Sequence, residues 1–159
     1  MAVKNYIMAV DPGLSGTGWA IWDECRPGPR ITGIIPAPQG GLEKRAELIA
    51  YDLRKIIKTY WADTVYCEYP AFFTGSTKSY ASTASGDLGK LFYLIGVIGG
   101  ITASVCDFQL VHVRDWKGQL SKEAVEHRIL KIIGRKGCKK FKSHVWDAVG
   151  IGLYKLGHL

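Results

Sequence analysis

Short apolar runs, each broken by turn residues, dominate the first forty positions and predict three strands. Residues 6–10 form one run, which ends at Asp11-Pro12-Gly13. Residues 16–22 form a second run, and residues 30–35 a third that stops before two prolines. Runs of this length between glycine and proline are typical of buried strands. Their close spacing along the chain predicts an antiparallel meander of three strands.

From residue 42 the spacing of the apolar residues changes and predicts a helix. These residues recur at intervals of four and three: Leu42, Ala46, Ile49, Leu53, Ile56 and Tyr60. Residues 64–70 and 109–113 predict a fourth and a fifth strand, and residues 71–85, rich in Ser, Thr, Gly and aromatics, an exposed loop. Further helices are predicted over 86–106, from a Ser121 cap to 133, and over 141–156.

The order β-β-β-α-β-α-β-α-α predicts an α/β fold with one mixed five-stranded sheet flanked by helices. The first three strands are expected to be antiparallel, whereas the helices between the later strands supply the crossovers that parallel pairs require. Strands one and four are taken as parallel neighbours. No stretch resembles a linker, so residues 1–159 are expected to form a single domain.

Positive charge is concentrated in the last third of the chain. The net charge is +7, and residues 1–111 contain ten basic and ten acidic residues, so the excess lies in residues 112–159, with eleven basic and four acidic. This asymmetry favours a face that binds a polyanion. A solvated loop between two helices is the alternative explanation for the densest stretch, whose basic residues are Arg135, Lys136, Lys139, Lys140 and Lys142.

Cysteine spacing and hydropathy set the expected compartment. Four cysteines form no Cys-x-x-Cys unit, so neither a disulfide framework nor a zinc site is expected. The longest apolar stretch, residues 91–106, is interrupted by glycines and is shorter than the roughly 20 residues that span a bilayer. The first residues lack the apolar core of a signal peptide. A cytoplasmic protein without a membrane partner is therefore expected.

Three carboxylates occupy positions that should bring them together. Asp11 ends the first strand, Glu68 lies near the end of the fourth, and Asp147 follows His144 by one turn of the last helix. Like charges in such proximity are costly unless a cation neutralises them. Divalent ions with oxygen ligands do this, and two of them about 4 Å apart can support displacement at phosphorus. The cluster and the basic charge together predict a nuclease.

Each of these residues also has an ordinary structural interpretation. An aspartate before Pro-Gly often only forms a turn, which applies equally well to Asp11. Asp147 could be a solvent-exposed helix residue, although its neighbours are apolar, and His144 alone is more often an ordinary hydrogen-bonded histidine. Glu68 is harder to explain in this way, because an apolar strand has little use for a buried carboxylate.

The ordered set of motifs resembles the RuvC family of Holliday-junction resolvases over nearly the whole chain. Asp11-Pro12-Gly13 with Gly16-Thr17-Gly18-Trp19 is similar to the family's opening strand and turn. Tyr66-Cys67-Glu68 is similar to its second acidic motif, and His144-Val145-Trp146-Asp147-Ala148 to its last. The segment Trp116-Lys117-Gly118 looks more like divergent members, including viral ones, so a phage-type member is a plausible interpretation.

The resemblance implies an RNase H-like fold, a homodimer, and paired nicks across a four-way DNA junction that depend on two Mg²⁺ ions, with Mn²⁺ able to replace them. The implied metal-binding set is Asp11, Glu68, His144 and Asp147, in which His144 stands where many members have aspartate. Lys122 matches a catalytic lysine near the scissile phosphate. Phe72 and Phe73 match the aromatic loop at the junction centre, and Lys117 joins the basic residues expected to contact DNA.

Three other functions remain open on the sequence. An RNase H-like nuclease could act on other branched DNA or on RNA–DNA hybrid, since the fold hosts all of these substrates. A basic dimer could bind branched DNA without cutting it. Asp-x-Gly followed by Thr-Gly also occurs in actin-like ATPases and sugar kinases, but those proteins need two such domains, so no nucleotide cofactor is expected from a chain of this length.

Overall fold

One sheet of five strands organises the protein. The structure, a computed structural model, describes residues 5–23, 25–70, 86–134 and 141–159. The strands are β1 (Tyr6–Asp11), β2 (Gly16–Asp23), β3 (Ile31–Pro36), β4 (Ala62–Tyr69) and β5 (Asp107–His112), in the order β3-β2-β1-β4-β5. The first three are antiparallel, and β4 is parallel to both β1 and β5. This confirms the predicted mixed sheet with β1 and β4 as parallel neighbours.

The helices differ from the prediction mainly at their ends. They are α1 (Leu42–Tyr60), α2 (Asp87–Thr102), α3 (Val113–Trp116), α4 (Lys122–Ile133) and α5 (Ser143–Lys155). The predicted helix over 86–106 was too long, since the observed helix ends at Thr102. The apolar pattern continues beyond that residue because Val105 and Cys106 still pack against the core. Among the described residues, no helix combines the length and apolar character that crossing a membrane requires.

The short helix α3 was missed, and Val113 was wrongly assigned to the fifth strand. His112 caps this helix by accepting a hydrogen bond from the Arg114 amide at its Nδ1, at 3.3 Å. A helix of four residues is too short to show the periodicity on which such predictions depend. Ser121, in contrast, caps α4 as predicted, accepting the Ala124 amide at 3.2 Å.

Each face of the sheet packs against its own pair of helices. Met8 and Val10 of β1 point into the core formed with α1 and α2, whereas Ile7 and Ala9 point into the core formed with α4 and α5. Successive strand residues face opposite sides, so a strand covered on both faces is apolar throughout. This explains why β1 and β2 are continuous apolar runs in the sequence.

Close approach of α5 to the sheet is made possible by glycines. A Cβ added to Gly18 of β2 would lie 2.1 Å from the His144 carbonyl oxygen. On α5, a Cβ at Gly150 or Gly152 would lie 2.4 Å from the Trp116 ring or 2.2 Å from the Trp22 ring. A side chain at any of these positions would push α5 away, so the glycines fix the height of this helix above β1 and β2.

Candidate active site

Asp11 and Glu68 meet at the carboxyl ends of two parallel strands. Asp11 is the last residue of β1, and Glu68 is the last residue but one of β4. Val10 pairs with Cys67 in the register, so the two following residues lie side by side. Asp11 is only 7% exposed. The prediction that these two carboxylates share one edge of the sheet is therefore confirmed.

Helix α5 brings two further side chains to the same place. His144 and Asp147 lie one turn apart in its first turns, and Gly18, which pairs with Asp11 across the strands, allows the helix to approach. His144 Nδ1 lies 2.6 Å from Asp11 Oδ2. Asp147 is near enough to Asp11 and Glu68 to raise the pKa of both. All four residues proposed from the sequence motifs thus lie together.

Asp11 and Glu68 are in an environment that resists their negative charge. Burial, and after it the charges of Asp11 and Asp147, raises the pKa of Glu68 to about 8. Burial likewise raises the pKa of Asp11. The pKa of His144 is raised chiefly by its hydrogen bond to Asp11. Desolvated acids that repel one another retain protons unless a cation offsets their charge, so this pocket favours a bound cation.

Each carboxylate is engaged by a different protein group. Trp116 Nε1 donates to Glu68 Oε2 at 3.0 Å, and Lys117 Nζ donates to Asp147 Oδ1 at 3.1 Å, while His144 engages Asp11. In the described ranges, no three His, Cys, Asp or Glu side chains converge as metal ligands. The donor types nevertheless suit a hard divalent ion, because Asp11 and Glu68 end neighbouring strands and the carboxylate and imidazole of α5 lie beside them.

Of the predicted basic residues, three fall within the described part of the chain. Lys117 contacts Asp147 directly, and Lys122 donates to Ser143 Oγ at 2.9 Å, beside His144, whose pKa it lowers slightly. Lys142 is exposed and immediately precedes α5. Cations therefore line the approach to the carboxylates. Phe72, Phe73, Arg135, Lys136, Lys139 and Lys140 lie outside the described residues.

Two neighbours of the site were not foreseen from the sequence. Trp116 belongs to the missed helix α3, and the sequence gives no signal for its bond to a glutamate 48 positions away. Arg45 of α1 donates to the Leu14 carbonyl and lines a cavity of about 480 Å³ beside the turn that follows Asp11. Lys90 and Asp87 line the same cavity. In the sequence, Arg45 is one of several charged residues off the apolar stripe of α1.

Comparison with known proteins shows similarity in structure alone. No family model and no curated protein matches the sequence. RuvC of Thermus thermophilus, solved with a Holliday junction substrate, superimposes with a TM-score of 0.71 at 16% identity, over 97% of both chains. The yeast mitochondrial Holliday junction resolvase Ydc2 gives 0.58 at 10% identity, over 98% of this chain and 78% of that one. At these identities the similarity shows the fold: this chain has the RuvC-type, RNase H-like fold.

A viral protein shares the same architecture. The fowlpox virus resolvase, solved in complex with Holliday junction DNA, matches with a TM-score of 0.51 at 16% identity, over 96% of this chain and 97% of that chain. The arrangement of strands and helices is thus similar in bacterial, mitochondrial and viral proteins.

Proposed function

We propose that this chain, with its RuvC-type fold, is a metal-dependent endonuclease that resolves four-way DNA junctions by paired nicks as a homodimer. The observation that carries the proposal is the gathering of Asp11, Glu68 and Asp147 at one desolvated edge of the sheet, with the pKa values of the first two raised. A protein that only binds DNA has no use for such a cluster, because negative charge near a phosphate weakens binding.

The metal-binding side chains in this proposal are Asp11, Glu68, His144 and Asp147. When bound, two Mg²⁺ ions, or Mn²⁺ in their place, supply an activated water and stabilise the leaving oxygen of a phosphodiester. His144 must be neutral to become a ligand, and a neutral imidazole that keeps Nδ1–H on Asp11 would offer the lone pair of its Nε2. Lys117 must likewise leave Asp147, and its ammonium group is then free to contact a DNA phosphate.

Lys122 is proposed to act near the scissile phosphate. It is held beside the first turn of α5 by Ser143, at 2.9 Å, and by Glu126, at 4.0 Å. A lysine ammonium at this position can offset negative charge that develops on the phosphate during cleavage. Together with Lys117 and Lys142 it gives the DNA a cationic approach to an otherwise acidic site.

The homodimer is proposed to form through the outer face of α2. A Cβ added to Gly96 or Gly100 would meet no heavy atom within 4 Å in the described part of the chain. Both glycines are exposed, as is Tyr93 one turn earlier in the helix. Gly99 faces the sheet instead, since a Cβ added there would lie 2.9 Å from the Phe108 ring. Two such faces could approach closely in an isologous contact.

A panel of labelled substrates tests the proposed specificity. Cleavage of a four-way junction, a flap, an RNA–DNA hybrid and a linear duplex is compared with Mg²⁺ and with Mn²⁺. We expect the four-way junction to be cut fastest, and Asp11→Asn to bind it without cutting. Preferential cutting of the hybrid or the flap would support another RNase H-like nuclease instead, and binding without cutting under all conditions would support a non-catalytic protein.

A further inference from the structure

Trp116 is held in a narrow space between the sheet and α5. Its side chain is 4% exposed, and its ring lies against Gly150, where an added Cβ would come within 2.4 Å of it. The Lys117 ammonium lies 5.4 Å from the centre of the same ring. Since the ring cannot tilt without moving α5 or the sheet, the direction of its N–H is fixed.

This fixed N–H points at one oxygen of Glu68. The distance from Trp116 Nε1 to Glu68 Oε2 is 3.0 Å, which is that of a good hydrogen bond. The bond uses one carboxylate oxygen and restricts the rotation of the side chain.

Trp22 shows what the same packing looks like without such a bond. It is fully buried, and its ring lies against Gly152 of the same helix, two positions from Gly150. Its Nε1 is buried and has no hydrogen-bond partner among the residues that the structure describes. A tryptophan can therefore fill the space beneath α5 without an acceptor for its N–H, so filling that space does not by itself account for the Trp116–Glu68 bond.

We propose that Trp116 is a positioning residue, which orients the Glu68 carboxylate for a divalent cation through its indole N–H. The inference rests on the proposed function. Groups that hydrogen-bond a metal-binding side chain fix its orientation, and their loss commonly weakens metal binding or activity by about 10–100-fold. The indole N–H suits this task because it carries no charge. It can stay on Glu68 when a cation arrives, whereas the Lys117 ammonium is repelled.

The test is the affinity for Mn²⁺ alone, without DNA, in Trp116→Phe and in the matched control Trp22→Phe. Both changes leave an aromatic ring against an α5 glycine, but only the first removes a hydrogen bond to Glu68. We expect Trp116→Phe to weaken Mn²⁺ binding by about 10-fold and Trp22→Phe by less than about 2-fold, measured by electron paramagnetic resonance. Equal losses in the two variants would overturn the proposal.

A double-mutant cycle shows whether the effect passes through Glu68. On a Glu68→Ala background, Trp116→Phe should cause no further loss of Mn²⁺ affinity. Metal-free junction binding should be unchanged in Trp116→Phe, while its cleavage rate falls at limiting Mn²⁺ and recovers as Mn²⁺ is raised. A full additional loss on the Glu68→Ala background would mean that Trp116 acts only through packing.

Nuclear magnetic resonance of the wild-type indole N–H groups provides a readout that needs no change at Trp116. We expect one indole resonance to shift both with Mg²⁺ and in Glu68→Ala. If no indole resonance responds to either, the inference fails even where Trp116→Phe does not fold. Wild-type protein that binds Mn²⁺ in a Trp116-dependent manner but cuts no nucleic acid would refute the proposed nuclease and leave this inference intact.

Discussion

Glu68→Gln is predicted to make the metal-free protein more stable at alkaline pH. The folded protein raises the pKa of this carboxyl from its ordinary value of 4.5 to about 8. Between these two pH values the folded state binds a proton that the unfolded state has lost, so stability falls as pH rises. Glutamine is neutral throughout, which removes this dependence.

The magnitude follows from the difference between the two pKa values. At about 1.36 kcal/mol for each pH unit, the difference between 4.5 and about 8 costs the wild type at most about 5 kcal/mol by pH 8. The figure is an upper limit because part of the Glu68 side chain still contacts water. Asp11 and His144, whose pKa values are also raised, add to the same trend, so a reduced slope should persist in the variant.

The assay is chemical denaturation between pH 5 and pH 9, with and without Mg²⁺. The wild type should lose stability across this range and regain it with Mg²⁺, by about 2.7 kcal/mol at 100 times the dissociation constant. Glu68→Gln should lose less stability and gain less from Mg²⁺. Glu47→Gln, at an exposed position paired with Lys44, is the control. Parallel curves for the wild type and Glu68→Gln, or equal gains from Mg²⁺, would refute the reasoning.

Three further predictions follow from the site. In denaturation and cleavage assays, Gly18→Ala should lower stability by about 3 kcal/mol and slow cleavage, because its Cβ would meet the His144 carbonyl at 2.1 Å. Gly89→Ala is the control and should change neither stability nor cleavage, because its Cβ would meet nothing within 4 Å in the described part of the chain. His144→Asp should shift the metal preference in cleavage from Mn²⁺ towards Mg²⁺, which favours oxygen ligands, and an unchanged preference would argue against His144 as a ligand. Lys142→Gln should reduce the slope of log junction affinity against log salt by roughly 0.9, and an unchanged slope would argue against a phosphate contact.

The sheet and the four clustered residues could be foreseen because their signals are local. A carboxylate in an apolar strand marks Glu68, and the end of the first strand marks Asp11. The helical spacing of His144 and Asp147 places both on one side of α5. On α1, the apolar spacing correctly predicted burial of Ala46, Ile49 and Leu53 (further along it is Ile57, rather than Ile56, that is fully buried).

The groups that surround these residues could not be foreseen, because they come from distant parts of the chain. Trp116 reaches Glu68 across 48 positions, and Lys117 reaches Asp147 across 30. Both contacts depend on α3, whose four residues show no periodicity, and on the height of α5, which Gly18 sets. Such geometry follows from the packing of several elements, so no single segment encodes it.

Cleavage of a supercoiled plasmid that extrudes a cruciform tests the central claim most directly. With Mg²⁺ or Mn²⁺, a dimer that makes paired cuts converts the plasmid to linear product, whereas independent cuts accumulate nicked circles. We predict linear product from the wild type, and junction binding without any cut from Asp147→Asn. An intact plasmid with either metal, or cutting by Asp147→Asn at the wild-type rate, would contradict the account.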